Sequence, residues 1–192
     1  MLIARSGRDL CAQPSAIGAS PKVPFDQAMK KANMVWLSSR DTDLLCKRLA
    51  EKIDKSEFKP DMIVAVVRGG MVPSRMLSDL LDVSDILSVR IKFYTAPGKT
   101  AQEPMVRQMP DESLFKGKKI LIVDDVADSG RTLALAKSLF EKGVEVRTAT
   151  LHYKPLSSII KPDYFVEETS AWIVYPWERE ETERDMLDEK KK

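Results

Sequence analysis

A chain of 192 residues with 31 basic and 29 acidic side chains has a formal net charge of only +2, which gives no field of the kind that coats nucleic acid. Its 43% hydrophobic and 31% charged residues are ordinary for a globular domain, and no apolar run reaches the length of a membrane span. Cys11 and Cys46 show neither metal-type spacing nor a disulfide framework, so a cytoplasmic protein without a membrane or nucleic-acid partner is expected.

Residues 1–38 read as an irregular N-terminal extension with three prolines and many small residues, in which Met34 is an alternative start. Residues 39–192 read as one folded domain, a size that a single core commonly reaches. Ser39-Arg40-Asp41 predicts a cap for a helix from about Thr42 to Lys55, with Leu44, Leu45, Leu49 and Ile53 at helical spacing. Lys59-Pro60-Asp61 breaks the chain, and MIVAVV at 62–67 predicts a strand buried on both faces, ended by Arg68-Gly69-Gly70. A helix follows from Pro73 to Leu81, then an alternating strand from Ile86 to Phe93.

Residues 94–111, with three prolines and no clean period, read as a long loop of the kind that usually carries function. Lys119–Val123 predicts a third strand, Thr132–Glu141 a helix with Gly143 beyond its end, and Glu145–Leu151 a fourth strand. Strands that alternate with helices imply a mostly parallel sheet flanked by helices. After Pro162 come a short strand, DYFVEE, the aromatic stretch SAWIVYPWE and a charged tail over 179–192.

Ligands of open parallel sheets gather at the carboxyl ends of the strands. Asp128-Ser129-Gly130-Arg131-Thr132 opens a helix, where backbone N–H groups and two hydroxyls can enclose a phosphate and Gly130 permits close approach. Asp124 and Asp125, just before it, would repel a bare phosphate. Their presence is explained by a ligand that also brings sugar hydroxyls or a magnesium ion.

ILIVDDVADSGRT, residues 120–132, resembles the phosphoribosyl diphosphate (PRPP) motif of type I phosphoribosyltransferases, with Ala127 smaller than the usual aliphatic residue there. AVVRGGMVPSRMLSDLLDV, residues 65–83, is similar to the pyrophosphate turn of the bacterial xanthine-guanine enzymes. The resemblance covers roughly residues 60–180. It implies the family's α/β fold, with a central mostly parallel sheet and a small hood built from terminal segments, here about 163–180.

It further implies that Asp124, Asp125, Ala127, Ser129, Gly130, Arg131 and Thr132 bind PRPP, with Asp125 and Asp124 also holding Mg2+. Arg68, Gly69 and Gly70 would hold pyrophosphate, with a cis peptide expected at Arg68-Gly69. Asp128 would be the catalytic acceptor of the purine N7 proton, and Lys154 the donor to the oxygen at C6. Trp172 would stack on the base, the Ile173 backbone meet its edge, and Glu178 stand near the 2-substituent where relatives carry aspartate. Trp177 is assigned to the core, and loop 94–111 to a lid.

These residues together imply transfer of the 5-phosphoribosyl group to a 6-oxopurine, giving the nucleoside monophosphate in purine salvage. The alternatives are a phosphoribosyltransferase for another base and a PRPP- or nucleotide-sensing regulator of the same fold. His152 is the only histidine, which excludes a His-based triad or a multi-His metal site. Relatives suggest a homodimer or homotetramer.

Overall fold

The computed structural model describes residues 33–95, 102–140 and 145–189. Most of the predicted N-terminal extension, the tip of the predicted 94–111 loop, Gly143 and the last three residues lie outside the described residues. The extension is not irregular to its end, because Met34–Trp36 forms strand β1, whose edge groups pair with a strand near the C-terminus.

Helix α1, Ser39–Asp54, is capped by Ser38 rather than Ser39. The Ser38 hydroxyl accepts from Asp41 N at 3.2 Å, and the Asp41 carboxylate accepts from Ser38 N at 2.8 Å, so two orphan amides at the helix start are satisfied. Leu45, Cys46, Leu49 and Ile53 form its buried stripe. Burial of each such large side chain is worth about 1.5–3 kcal/mol.

Strand β2, Met62–Val66, is buried at all five positions, as its unbroken apolar run requires. Helix α2, Met71–Leu80, follows and leads into β3, Ile86–Thr95. The predicted loop 94–111 is largely strand: β4, Gln102–Gln108, runs antiparallel to β3 as the second limb of a hairpin arm. Pro104 is tolerated there because β4 is an edge strand, where a missing N–H donor faces solvent.

After a 3-10 turn at Glu112–Leu114 come β5, Lys119–Ala127, α3, Arg131–Phe140, and β6, Glu145–Tyr153. Strands β7, Tyr164–Glu168, and β8, Trp172–Val174, precede the acidic helix α4, Arg179–Glu189. The six-stranded sheet has the order β4-β3-β2-β5-β6-β7 and is parallel except for β4.

One core joins α1, Leu77 of α2 and the C-terminal residues Ile173 and Tyr175 on one face. The other gathers Leu133, Ala136 and Phe140 of α3 with Phe115 on the opposite face. Strands β1 and β8 form a separate parallel pair beside the main sheet. The hood therefore differs from the expected segment of about 163–180, because Tyr164–Glu168 is strand β7 of the main sheet, while Met34–Trp36 joins Trp172–Val174 in the hood.

Candidate active site

The order β2-β5-β6 sets three strand ends side by side, and the loops leaving them carry most of the predicted site. Strand β5 runs four residues beyond the predicted Val123, because pairing with β6 continues through Asp124↔Thr150, Val126↔His152 and Ala127↔Tyr153. The two aspartates therefore sit inside the strand, not beyond its end. Asp124 Oδ1 accepts from Asp125 N at 3.0 Å, and Asp125 Oδ1 accepts from Val126 N at 2.7 Å.

Burial raises both carboxyl pKa values above the usual carboxylate range. At Asp124, which keeps part of its surface open to solvent yet lies deep in the protein, the Asp125 charge adds to that rise. The Asp125 carboxylate lies directly against the turn after β2: a Cβ on Gly69 would sit 2.6 Å from Asp125 Cγ. Gly70 is as confined, since its Cβ would meet Val123 O and Val66 O.

The phosphate-type loop is short and braced from beneath. Gly130 has φ +70°, a conformation that favours glycine, and a Cβ there would collide with Ser158 and Ile160. Ile159 N donates to Ser129 O at 3.0 Å, and Ala134 N donates to Gly130 O at 2.9 Å to start α3. Arg131 and Thr132 are half-buried at the first positions of that helix, and the Arg131 guanidinium lies 4.5 Å from the Phe93 ring centroid of the hairpin arm. The first amides of α3 thus face the loop, the arrangement that favours an anion.

Asp128 and Lys154, which are 26 residues apart, form an ion pair with Nζ 2.8 Å from Oδ2. The lysine is largely withdrawn from solvent, with 12% of its side chain exposed, so its ammonium is not a generic surface charge. Lys154 N donates to Ala127 O at 3.0 Å, which fixes the loop after β6 to the end of β5. Ser157 Oγ donates to Asp128 O at 2.9 Å and to Asp128 Oδ1 at 3.2 Å. The Lys154 ammonium also lies 5.5 Å from the Trp172 ring centroid, a cation–π distance. Val126, Asp128, Lys154, Trp172, Ile173 and Glu178 line one cavity of about 190 Å³. All the residues predicted to meet a purine are therefore brought together.

The turn after β2 is built differently. The cis peptide falls at Val67-Arg68, one residue before the expected Arg68-Gly69 position. Across this turn Gly70 N donates to Val66 O at 2.8 Å. Arg68 does not line the purine-type cavity. Its guanidinium donates to both carboxylate oxygens of Glu181 on α4, at 2.8 and 2.7 Å, in the open. A second cavity of about 180 Å³ lies beside this pair, lined by Arg68, Trp172, Glu178, Glu181, Thr182 and Asp185. Glu178 borders both cavities. Burial, reinforced by the charges of Asp125 and Glu181, pushes its carboxyl from 4.5 to about 7.

Residues 40–183 match the phosphoribosyl transferase domain family. The chain belongs to the phosphoribosyltransferase family. It is 34% identical over 143 residues to a xanthine-guanine phosphoribosyltransferase of Desulfotalea psychrophila, covering 73% of this chain and 81% of that one. The crystal structure of a purine phosphoribosyltransferase from Pyrococcus horikoshii is 35% identical with a TM-score of 0.65, covering 76% of this chain and 93% of that one. A Neisseria gonorrhoeae protein solved with bound ppGpp is 28% identical with a TM-score of 0.69, covering 84% and 98%.

In this phosphoribosyltransferase no group of three or more His, Cys, Asp and Glu side chains among the described residues is arranged to hold a metal by itself. The carboxylates of Asp124 and Asp125 nevertheless suit a hard cation shared with an oxygen-rich ligand. They offer adjacent oxygen donors in a buried setting where burial disfavours a bare carboxylate charge, which a bound cation would offset.

Three residues in the site escaped sequence reasoning. Ser157 braces Asp128, Glu181 holds Arg68, and Tyr175 reaches Asp125 from the hood. None carries a local signal, since each acts on a partner at least 29 residues away. A tyrosine between Ile173-Val174 and Pro176-Trp177 does announce an aromatic core, but not the partner of its hydroxyl.

Proposed function

We propose that this enzyme transfers the 5-phosphoribosyl group of PRPP to N9 of a 6-oxopurine, giving a nucleoside monophosphate and pyrophosphate in purine salvage. The observation that supports this reading best is the Asp128–Lys154 pair on the wall of the Trp172 cavity. One carboxylate to accept the N7 proton and one ammonium to donate to an oxygen at C6 complement guanine, xanthine or hypoxanthine. The amino group of adenine would face a cation with three donors and no acceptor.

In the productive complex the base replaces the direct Asp128–Lys154 contact, with N7 toward Asp128 and the C6 oxygen toward Lys154, and Trp172 covers its face. Base stacking on an aromatic ring is worth about 1–3 kcal/mol. The Ile173 backbone meets the edge of the base, and Glu178 faces its 2-substituent. Residues Ala127 to Thr132 enclose the 5′-phosphate, Asp124 and Asp125 take the ribose hydroxyls, and Arg68 to Gly70 hold the pyrophosphate. Asp124 and Asp125 would also hold Mg2+, which offsets phosphate charge when bound. The hairpin arm of β3 and β4 closes over the reactants and excludes water. As the ribose–pyrophosphate bond breaks, Asp128 accepts the N7 proton while N9 bonds to the ribose carbon, so the protein mainly positions reactants and stabilises separated charge.

The test is incubation with PRPP, Mg2+ and each of guanine, xanthine, hypoxanthine and adenine, following nucleotide formation. Turnover with one or more oxopurines and little with adenine is expected; preference for adenine, or no nucleotide with any base, overturns the reading. A second reading, control by a guanosine polyphosphate, is favoured by the ppGpp-bound Neisseria gonorrhoeae relative. Addition of ppGpp to the same assay tests it, with inhibition competitive against PRPP as the supporting result.

A further inference from the structure

The hood holds more than the base-facing residues. Between the register pairs Asp124↔Thr150 and Val126↔His152, strand β6 offers no register partner to Asp125. Its backbone carbonyl instead accepts from Tyr175 Oη at 2.9 Å. Tyr175 is 1% exposed, and its oxygen also meets His152 Nδ1 at 2.7 Å. Since the tyrosine proton is committed to the carbonyl, the network assigns the proton of this second bond to His152 Nδ1. Burial keeps His152 neutral and Tyr175 protonated, which suits both roles.

Trp177 completes the support. Its ring stacks on Tyr175 with centroids 4.8 Å apart and an interplanar angle of 7°. The buried indole N–H has no hydrogen-bond partner of proper geometry, yet it lies close enough to the Asp125 carboxylate to favour its charged form. Asp125 is thus held on its backbone by Tyr175, approached on its carboxylate by Trp177, and closed from the other side by Gly69.

We infer that Tyr175, backed by His152 and Trp177, is a positioning residue that ties the hood to Asp125 and sets that carboxylate for the ribose of PRPP. The inference rests on the reading of the site given above for the identity of the ligand. A tyrosine that served only the hood would matter first to the base, because Trp172, Ile173 and Glu178 belong to the same segment. One that positions Asp125 matters first to PRPP.

The experiment compares PRPP and guanine affinities, by calorimetry with Mg2+ and by KM, in the full chain and in Tyr175→Phe. The variant keeps the ring and its stack but leaves the Asp125 carbonyl and His152 Nδ1 without a partner. PRPP affinity is expected to fall about 5- to 20-fold, with the KM for guanine within twofold. Trp177→Phe, which keeps an aromatic ring at the stack, reads the carboxylate side and should weaken PRPP about 3-fold. It also serves as the deciding variant should Tyr175→Phe fail to fold. Unchanged PRPP affinity in these variants overturns the inference, as does a parallel fall of both affinities, which marks a merely structural hood contact. If the unmodified protein binds no PRPP, the transfer reading falls and takes this inference with it. Normal binding by the parent and by Tyr175→Phe defeats the inference alone.

Discussion

The ends of β5 and β2 lie on neighbouring strands and face one site, yet they are held by different physics. Near the end of β5 the two aspartates lie within the strand, Asp125 buried and Asp124 half-buried, and are supported by backbone amides and by the hood. After β2 the one charged side chain, Arg68, stands in solvent and is held only by a surface carboxylate from α4. On the proposed roles, the carboxylates that keep one geometry are built into the sheet, and the arginine that would exchange partners with an arriving anion is left on an exposed ion pair, the kind that contributes only about 0–1 kcal/mol.

The contrast is broken most severely at Asp128. Asp128→Asn retains the shape and the contacts with Ser157 but removes the acceptor of a proton. Turnover is expected to fall by about 10²- to 10⁴-fold while PRPP affinity changes less than about threefold. Equal turnover in the variant, measured under saturating substrates, would defeat the role assigned to this carboxylate.

Next in size is Gly69→Ala, which joins the two regions by force. Its new Cβ would meet the Asp125 carboxyl, so either the turn or the carboxylate must move. Overpacking of this kind costs about 1–3 kcal/mol. Because the displaced group is the one assigned to ribose, PRPP affinity should drop by about tenfold or more, with guanine affinity nearly kept. A loss confined to guanine would place the strain elsewhere.

Glu178 stands between the two regions and gives a pH signature. Its carboxyl titrates near 7 in the folded chain against 4.5 in the unfolded one, so the folded state holds the proton more tightly. Its contribution to stability is full below about pH 4.5, is lost as pH rises towards 7, and then stays lost. The ceiling on that loss is roughly 3 kcal/mol, and solvent screening of this part-exposed group brings it to about 1–2 kcal/mol. Glu178→Gln should therefore be near neutral at pH 4.5 and stabilising at pH 8 by about 1–2 kcal/mol in urea titrations. A pH-independent difference would contradict the burial and charge repulsion inferred here.

The same contrast explains what the sequence disclosed. ILIVDDVADSGRT is contiguous, so strand, acids, glycine turn and helix start could be read from one stretch, whereas the 2.8 Å contact of Asp128 with Lys154 joins two separate segments and could not. Strand β5 outlasts its apolar run because Asp124 and Asp125 interrupt the hydrophobic pattern while the backbone continues as strand to Ala127. The hairpin arm was hidden because Pro104 reads as a loop residue, although an edge strand accepts it. The role of Glu181 was invisible for a different reason. In a tail crowded with charge, one glutamate is distinguished only by the arginine it meets 113 residues away.

That glutamate supports the smallest and most discriminating effect. The Glu181 carboxylate presents two oxygens to the guanidinium that the proposed pyrophosphate site must use, so the incoming anion has to displace it. Glu181→Gln keeps the side-chain length and removes the competing charge. Since the pair is exposed on both sides, its strength should not exceed about 1 kcal/mol. PRPP and pyrophosphate should bind up to about fivefold more tightly in the variant, with guanine affinity unmoved and stability changed by less than about 1 kcal/mol. Salt weakens exposed pairs, so the gap between variant and parent should narrow from about 0.01 M to 1 M ionic strength. A gap that persists in high salt, or weaker pyrophosphate binding in the variant, would mean that Glu181 orients Arg68 for the anion instead of competing with it.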